Sequence, residues 1–144
     1  MVLNLYDNKI ERLSGLDTLK SLRVLMLGKN RSVLHHLFIF LTVLNNAICC
    51  LRIKKIEGLE ALLNLDILDL HGNQITAITN LSHLSTLRVL NLAVNSLKKI
   101  PSLEGLVSLE ELNLKRNKIC KIATEVCKAK KLERLYLSNN DLRR

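Results

Sequence analysis

The sequence predicts an α/β solenoid, with a curved sheet of short parallel strands along one face and 3₁₀ or short helical turns along the other. Three observations predict it. The phrase L-x-L-x-x-N-x-I recurs along the chain, most cleanly at Leu68-Asp69-Leu70-His71-Gly72-Asn73-Gln74-Ile75. Its asparagines, Asn8, Asn30, Asn73, Asn95, Asn117 and Asn140, are separated by 22, 43, 22, 22 and 23 residues. A fixed period of this size marks a stack of similar turns. The second half of each period carries apolar residues three apart, as in Ile100, Leu103, Leu106 and Leu109. That spacing suits 3₁₀ turns better than a long helix.

Each copy builds the same elements in the same order. Two leucines separated by one residue point to one face of a strand. The pairs are Leu3/Leu5, Leu25/Leu27, Leu68/Leu70, Leu90/Leu92, Leu112/Leu114 and Leu135/Leu137. Stacked, they turn a parallel sheet's inner face into core. The asparagine that follows ends the strand. Its amide has two donors and an acceptor, so it can satisfy backbone groups exposed where the chain bends inside the stack. The six asparagines are therefore expected to form a structural ladder. Gly15, Gly58 and Gly105 recur where the chain crosses the convex side and are read as tight backbone positions. The fifth copy is one residue longer, across 123–131, and less regular.

The motif L-x-x-L-x-L-x-x-N-x-I-x-x-I-x-x-L resembles the leucine-rich repeat in its short variety of about 22 residues. The resemblance covers the chain apart from one break, with six copies in register. It implies a single leucine-rich-repeat domain over 1–144, a concave strand face, and protein binding as the usual work. Met1 stands at the start of one copy and Leu142 opens another, with no polar cap at either end. The expectation is a fragment of a longer protein that lacks both capping units. More narrowly, Leu25-Met26-Leu27-Gly28-Lys29-Asn30 and the run from Asp66 to Ile75 are similar to the leucine-rich-repeat subunits of tubulin polyglutamylase complexes. Arg88 to Ala93 and Glu111 to Leu114 fit the same group. That resemblance implies a targeting subunit, bound to tubulin or to tubulin ligase subunits, in the cytoplasm at the cytoskeleton, centriole or cilium. Related repeat proteins regulate enzymes such as protein phosphatases, which supplies the alternative function.

The interval from Asn30 to Asn73 is one period plus 21 residues. Joining Asn30 to Arg52 restores a regular copy, so the extra piece is 31–51, rich in Val, Leu, Ile and Phe. A membrane span needs about 20 apolar residues, and His35, His36, Asn45 and Asn46 interrupt this run. Read as an additional repeat, Leu41 to Ile48 falls out of register. The preferred reading is an apolar insertion encoded by a retained intron. Arginines mark its two junctions, Arg31 and Arg52, its codons are T-rich, and its end can be encoded by a pyrimidine tract followed by AG. Translated, it is an aggregation hazard.

Composition narrows the function. The chain has 144 residues, 48% of them apolar, with no Trp, so its core is aliphatic. No secretory signal opens it. Cys49, Cys50, Cys120 and Cys127 have neither zinc-like nor secreted-disulfide spacing, and read as free thiols in a reducing compartment. The formal net charge is +9, and +7 of it falls between Lys115 and Arg144, ten basic residues against three acidic ones. A basic end attracts acidic partners of any class. Nucleic acid is disfavoured, because Tyr136 stands alone there for base stacking.

The sequence has no nucleophile elbow, phosphate loop, H-E-x-x-H or dinucleotide fingerprint. Asp69 and His71 share a strand face, but Asn91 and Ala93, or Asn113 and Lys115, hold those places in other copies. Adjacent His35-His36 and Cys49-Cys50 rarely converge on one tetrahedral ion. The expectation is no catalytic residue, no cofactor and no metal. What remains is the outward strand surface. Met26, Ile67, Val89 and Asn91, with Asp69, His71 and Asn113, form its body. Met26, Ile67 and Val89 make an apolar anchor, and Lys115, Arg116 and Arg134 beside Tyr136 an electrostatic patch. A non-catalytic protein-interaction scaffold follows.

Overall fold

The computed structural model describes residues 1–10, 15–30, 59–122 and 124–143. The insertion expected at 31–51, and Gly58 after it, lie outside these. Among the described residues six three-residue strands form one sheet: β1 (Val2–Asn4), β2 (Val24–Met26), β3 (Ile67–Asp69), β4 (Val89–Asn91), β5 (Glu111–Asn113) and β6 (Arg134–Tyr136). Their order in space is their order in sequence, and every pair is parallel. The register aligns Leu3, Leu25, Leu68, Leu90, Leu112 and Leu135 in one row. The pairing of β2 with β3 keeps this register although Leu68 lies 43 positions after its partner Leu25, the same interval that separates Asn30 from Asn73.

The inward leucines form the core. Leu25, Leu27, Leu68, Leu70, Leu90, Leu92, Leu112 and Leu114 are fully buried. Each contributes about 1.5–3 kcal/mol relative to exposure. Behind them, Leu62, Leu65, Leu84, Leu87, Leu103 and Leu109 close the core from the turn side. The spacing by three has a direct cause. Leu62 donates its N–H to Leu59 and Leu65 to Leu62, and the same i→i+3 pairs recur from Leu81 to Leu87 and from Leu103 to Leu109. Each leucine thus turns inward once per tight turn. Among the described residues, these turns lengthen into a 3₁₀ helix only in the longer fifth copy, at Thr124–Lys128.

One residue in every copy, just before the ladder asparagine, has positive φ: Asp7, Lys29, Gly72, Val94, Arg116 and Asn139. The bend between strand and turn therefore sets the backbone in the left-handed region, whatever the side chain. Val94, at φ 58°, is the most strained of these, because a branched Cβ crowds that conformation. On the convex side Gly15 and Gly105 also have positive φ. Gly105 is as tight as expected, since a Cβ there would overlap the Ser82 carbonyl, whereas Gly15 has open space.

Candidate functional site

The asparagine ladder sets the geometry on which any surface is built. Asn95 Nδ2 donates to Leu70 O and Leu92 O, each at 3.0 Å, while Oδ1 accepts the N–H of Ile75 at 3.0 Å. Asn117 repeats the pattern on Leu92, Leu114 and Leu97. Asn30 does so on Leu5, Leu27 and Ile10, and Asn140 on Leu114, Leu137 and Ile119. Each rung ties one turn to the one before it. Asn8, in the first copy, makes a different contact. It is exposed and donates to the nearby Tyr6 O.

Outward from the strands, the register makes three columns. The first is Val2, Val24, Ile67, Val89, Glu111 and Arg134, and the second Asn4, Met26, Asp69, Asn91, Asn113 and Tyr136. The third follows the strands: Tyr6, Gly28, His71, Ala93, Lys115 and Ser138. Ile67 and Val89 are half-buried register partners in the first column, and Met26, also half-buried, lies in the second column opposite Asp69. The apolar column gives way at β5 to the ion pair of Glu111 with Arg134, 2.8 Å apart.

The second column does more than face a partner. Asn4, Asp69, Asn91 and Asn113 each accept, through Oδ1, the N–H of the residue two further on. These are Asx turns that close the strand ends. They explain the Asp69–His71 contact. Asp69 Oδ1 takes the backbone N–H of His71 at 3.0 Å and lies 3.1 Å from Nδ1 of the same residue. Asn91 and Asn113 make the equivalent turn without a histidine, so the pairing follows from the repeat. His71 lies over Gly28, where a Cβ would come within 2.5 Å of Nδ1, and its ring stands 5.5 Å from that of Tyr6. Among the described residues no group of three metal-ligating side chains converges.

The electrostatics divide the molecule into two unlike rims. On the rim where the strands begin, Arg23, Asp66, Arg88, Glu110 and Glu133 directly precede β2 to β6. Arg23, Asp66, Arg88 and Glu110 form a chain of ion pairs. Arg88 Nε donates to Asp66 at 2.7 Å, Arg23 lies 3.6 Å from the same carboxylate, and Glu110 lies 3.8 Å from Arg88. The hydrogen bond from Arg88 holds the Asp66 carboxyl below its usual range against the opposing effect of burial, with the charges of Arg88 and Arg23 assisting. Arg134 forms a separate group with Glu111 and Glu133. The sequence reading grouped Arg134 with Lys115 and Arg116, but its charge is engaged by those carboxylates. The rim where the strands end is different. There Lys115 lies 4.7 Å above the Tyr136 ring, and Arg116 is exposed beside it. A sequence signal for this division existed: Asp66, Arg88 and Glu110 alternate in charge at a fixed place in the period.

A family model described as leucine rich repeat matches residues 63–119. A solved leucine-rich-repeat protein of Leptospira interrogans is similar over 96% of this chain, with 25% identity and a TM-score of 0.59. The chain spans 37% of the length of that protein. None of the curated proteins matches it. The chain thus has a parallel-sheet solenoid fold of leucine-rich-repeat type with repeats of about 22 residues, matching the spacing of Asn73, Asn95 and Asn117. Among the described residues no helix is long and apolar enough to cross a membrane. Cys120 and Cys127 are free and exposed.

Proposed function

We propose that this solenoid is a non-catalytic scaffold that binds another protein on its concave strand face. One observation carries the reading. The register converts isolated outward residues into continuous columns, with Val24, Ile67 and Val89 side by side and Met26 next to them. An apolar column on a rigid sheet, edged by Asn91, Asn113 and Lys115, suits a partner's strand, loop or helix side chains. The Asx turns hold the column's backbone fixed before binding, so little ordering cost remains.

The resemblance of Leu25 to Asn30 and Asp66 to Ile75 extends the proposal to a subunit that places a tubulin-modifying complex on microtubules or cilia. That extension rests on those strand residues. Affinity purification of the tagged chain from ciliated cells tests it. Recovery of tubulin ligase subunits at stoichiometric yield is the expected outcome. Recovery of a phosphatase catalytic subunit instead would transfer the scaffold to enzyme regulation.

A further inference from the structure

The rim where the strands end carries a second surface, distinct from the concave face and independent of the reading above. Its residues follow the ladder asparagines at fixed offsets, and backbone contacts establish how they stack. Cys120 Sγ meets Lys98 O at 3.8 Å, and Arg143 donates its N–H to Cys120 O at 3.2 Å. Lys98, Cys120 and Arg143 therefore form one column. Lys99 and Lys121, each one residue later, form the next. Arg116 and Lys118 flank Asn117 on the same rim.

All six cations are exposed, and none has a carboxylate partner among the described residues. The opposite rim provides the contrast, since Arg23, Arg88 and Arg134 there are all ion-paired. Asp141, in the column of Lys118 one turn later, is the acidic residue of this rim in the sixth copy. Adjacent strands lie about 4.8 Å apart, so the rim concentrates unpaired positive charge within a few such steps. Within it Val94 is 39% exposed and Ile122 60% exposed.

From this pattern we infer that the rim binds an acidic polypeptide segment carrying at least one apolar side chain. Opposite charge steers such a segment to the rim, and Val94 and Ile122 give its apolar residue a place to rest. Nucleic acid fits less well. Tyr136, the aromatic residue of this end, already lies under Lys115, so base stacking has no free platform.

The test is fluorescence anisotropy of the whole chain with a labelled ten-residue Glu/Asp peptide containing one Leu. A duplex DNA and phosphatidylserine vesicles serve as competitors. Lys99→Glu/Lys121→Glu is compared with Lys20→Glu/Lys131→Glu, which changes net charge equally at exposed positions outside this rim. The rim pair is expected to weaken peptide binding roughly tenfold or more, the control pair by less than about twofold, and salt to weaken all binding. Lys99→Gln/Lys121→Gln should fall between. Equal losses from the two pairs, no binding by the wild type, or tighter binding to DNA or vesicles than to the peptide would each overturn the inference. Concave-face variants such as Val89→Glu should leave this binding intact, which separates its failure from that of the scaffold reading.

Discussion

The side-chain oxygen of Asn95 accepts the backbone N–H of Ile75, 20 residues earlier, at 3.0 Å. That bond joins two turns across the stack through a side chain that also donates to Leu70 and Leu92. Asn95 is 8% exposed, so the groups it serves have little access to water. Replacing it with Ala leaves buried backbone groups unpaired, at about 1–3 kcal/mol for each group that finds no water. Asn95→Ala is expected to lower stability by roughly 3 kcal/mol on this basis. Asn8→Ala, at the exposed end of the ladder, should cost less than about 0.5 kcal/mol. Urea denaturation of both variants measures the difference, and equal losses would remove the ladder from the account.

Gly105 and Gly15 occupy corresponding places in their repeats, both with positive φ, but only Gly105 lies against the neighbouring turn. An alanine at either position carries a left-handed backbone cost of about 1–2 kcal/mol. At Gly105 it must also displace the Ser82 carbonyl, an overpacking cost of about 1–3 kcal/mol. Gly105→Ala should therefore lower the melting temperature clearly more than Gly15→Ala does. The reverse order in thermal unfolding contradicts the close approach of these turns.

Asp66 supplies a pH dependence whose sign follows from its environment. Its folded-state pKa lies below the unfolded value because Arg88 hydrogen-bonds the charged form. The resulting stability is present above the unfolded value, about 4, and is lost as pH falls through the lower folded value. Its side chain is 14% exposed and Arg88 is 50% exposed, so solvent screening keeps the effect modest. Between pH 6 and pH 3, wild type should lose more stability than Asp66→Asn. Parallel losses in denaturation at the two pH values would show that the pair contributes nothing.

Much of this was legible in the sequence. The period located each of the six strands among the described residues, because alternating leucines have only one way to face the core of a stack. Spacing by three gave the i→i+3 turns. Asn4, Asp69, Asn91 and Asn113 were harder to read, since an Asx turn looks the same as a surface polar residue until the backbone beyond it is known. Arg134 was misgrouped for a different reason. Proximity in sequence joined it to Lys115, while the stack placed its guanidinium beside Glu111, 23 positions earlier. Lys98 and Lys99 lie outside the charge run and join the basic rim only through stacking.

The ladder also bears on the 31–51 insertion. Asn30, Asn95, Asn117 and Asn140 each accept an N–H from the residue two places beyond the previous ladder asparagine. Asn73 Oδ1 is buried without a partner among the described residues. Deleting 31–51 leaves an interval of 43 − 21 = 22 residues before Asn73 and brings Ile53 to the second place after Asn30. We propose that the segment is foreign to the repeat, as a retained intron would be. The deletion variant should then unfold at higher urea concentration and aggregate less. Lower stability on deletion would make the segment part of the fold.

The most direct test of the scaffold is a titration, by isothermal calorimetry, of the partner recovered in the affinity purification. Three chains are compared: wild type, Met26→Glu/Val89→Glu on the concave column, and Val107→Glu, whose side chain is 59% exposed. Met26 and Val89 are half-buried, so circular dichroism first establishes that the double variant keeps its fold. The concave variant should lose binding by roughly a hundredfold, on the order of the 2–4 kcal/mol carried by hot-spot residues, with Val107→Glu unchanged. Equal affinity in all three would contradict the assignment of the concave face as the binding surface.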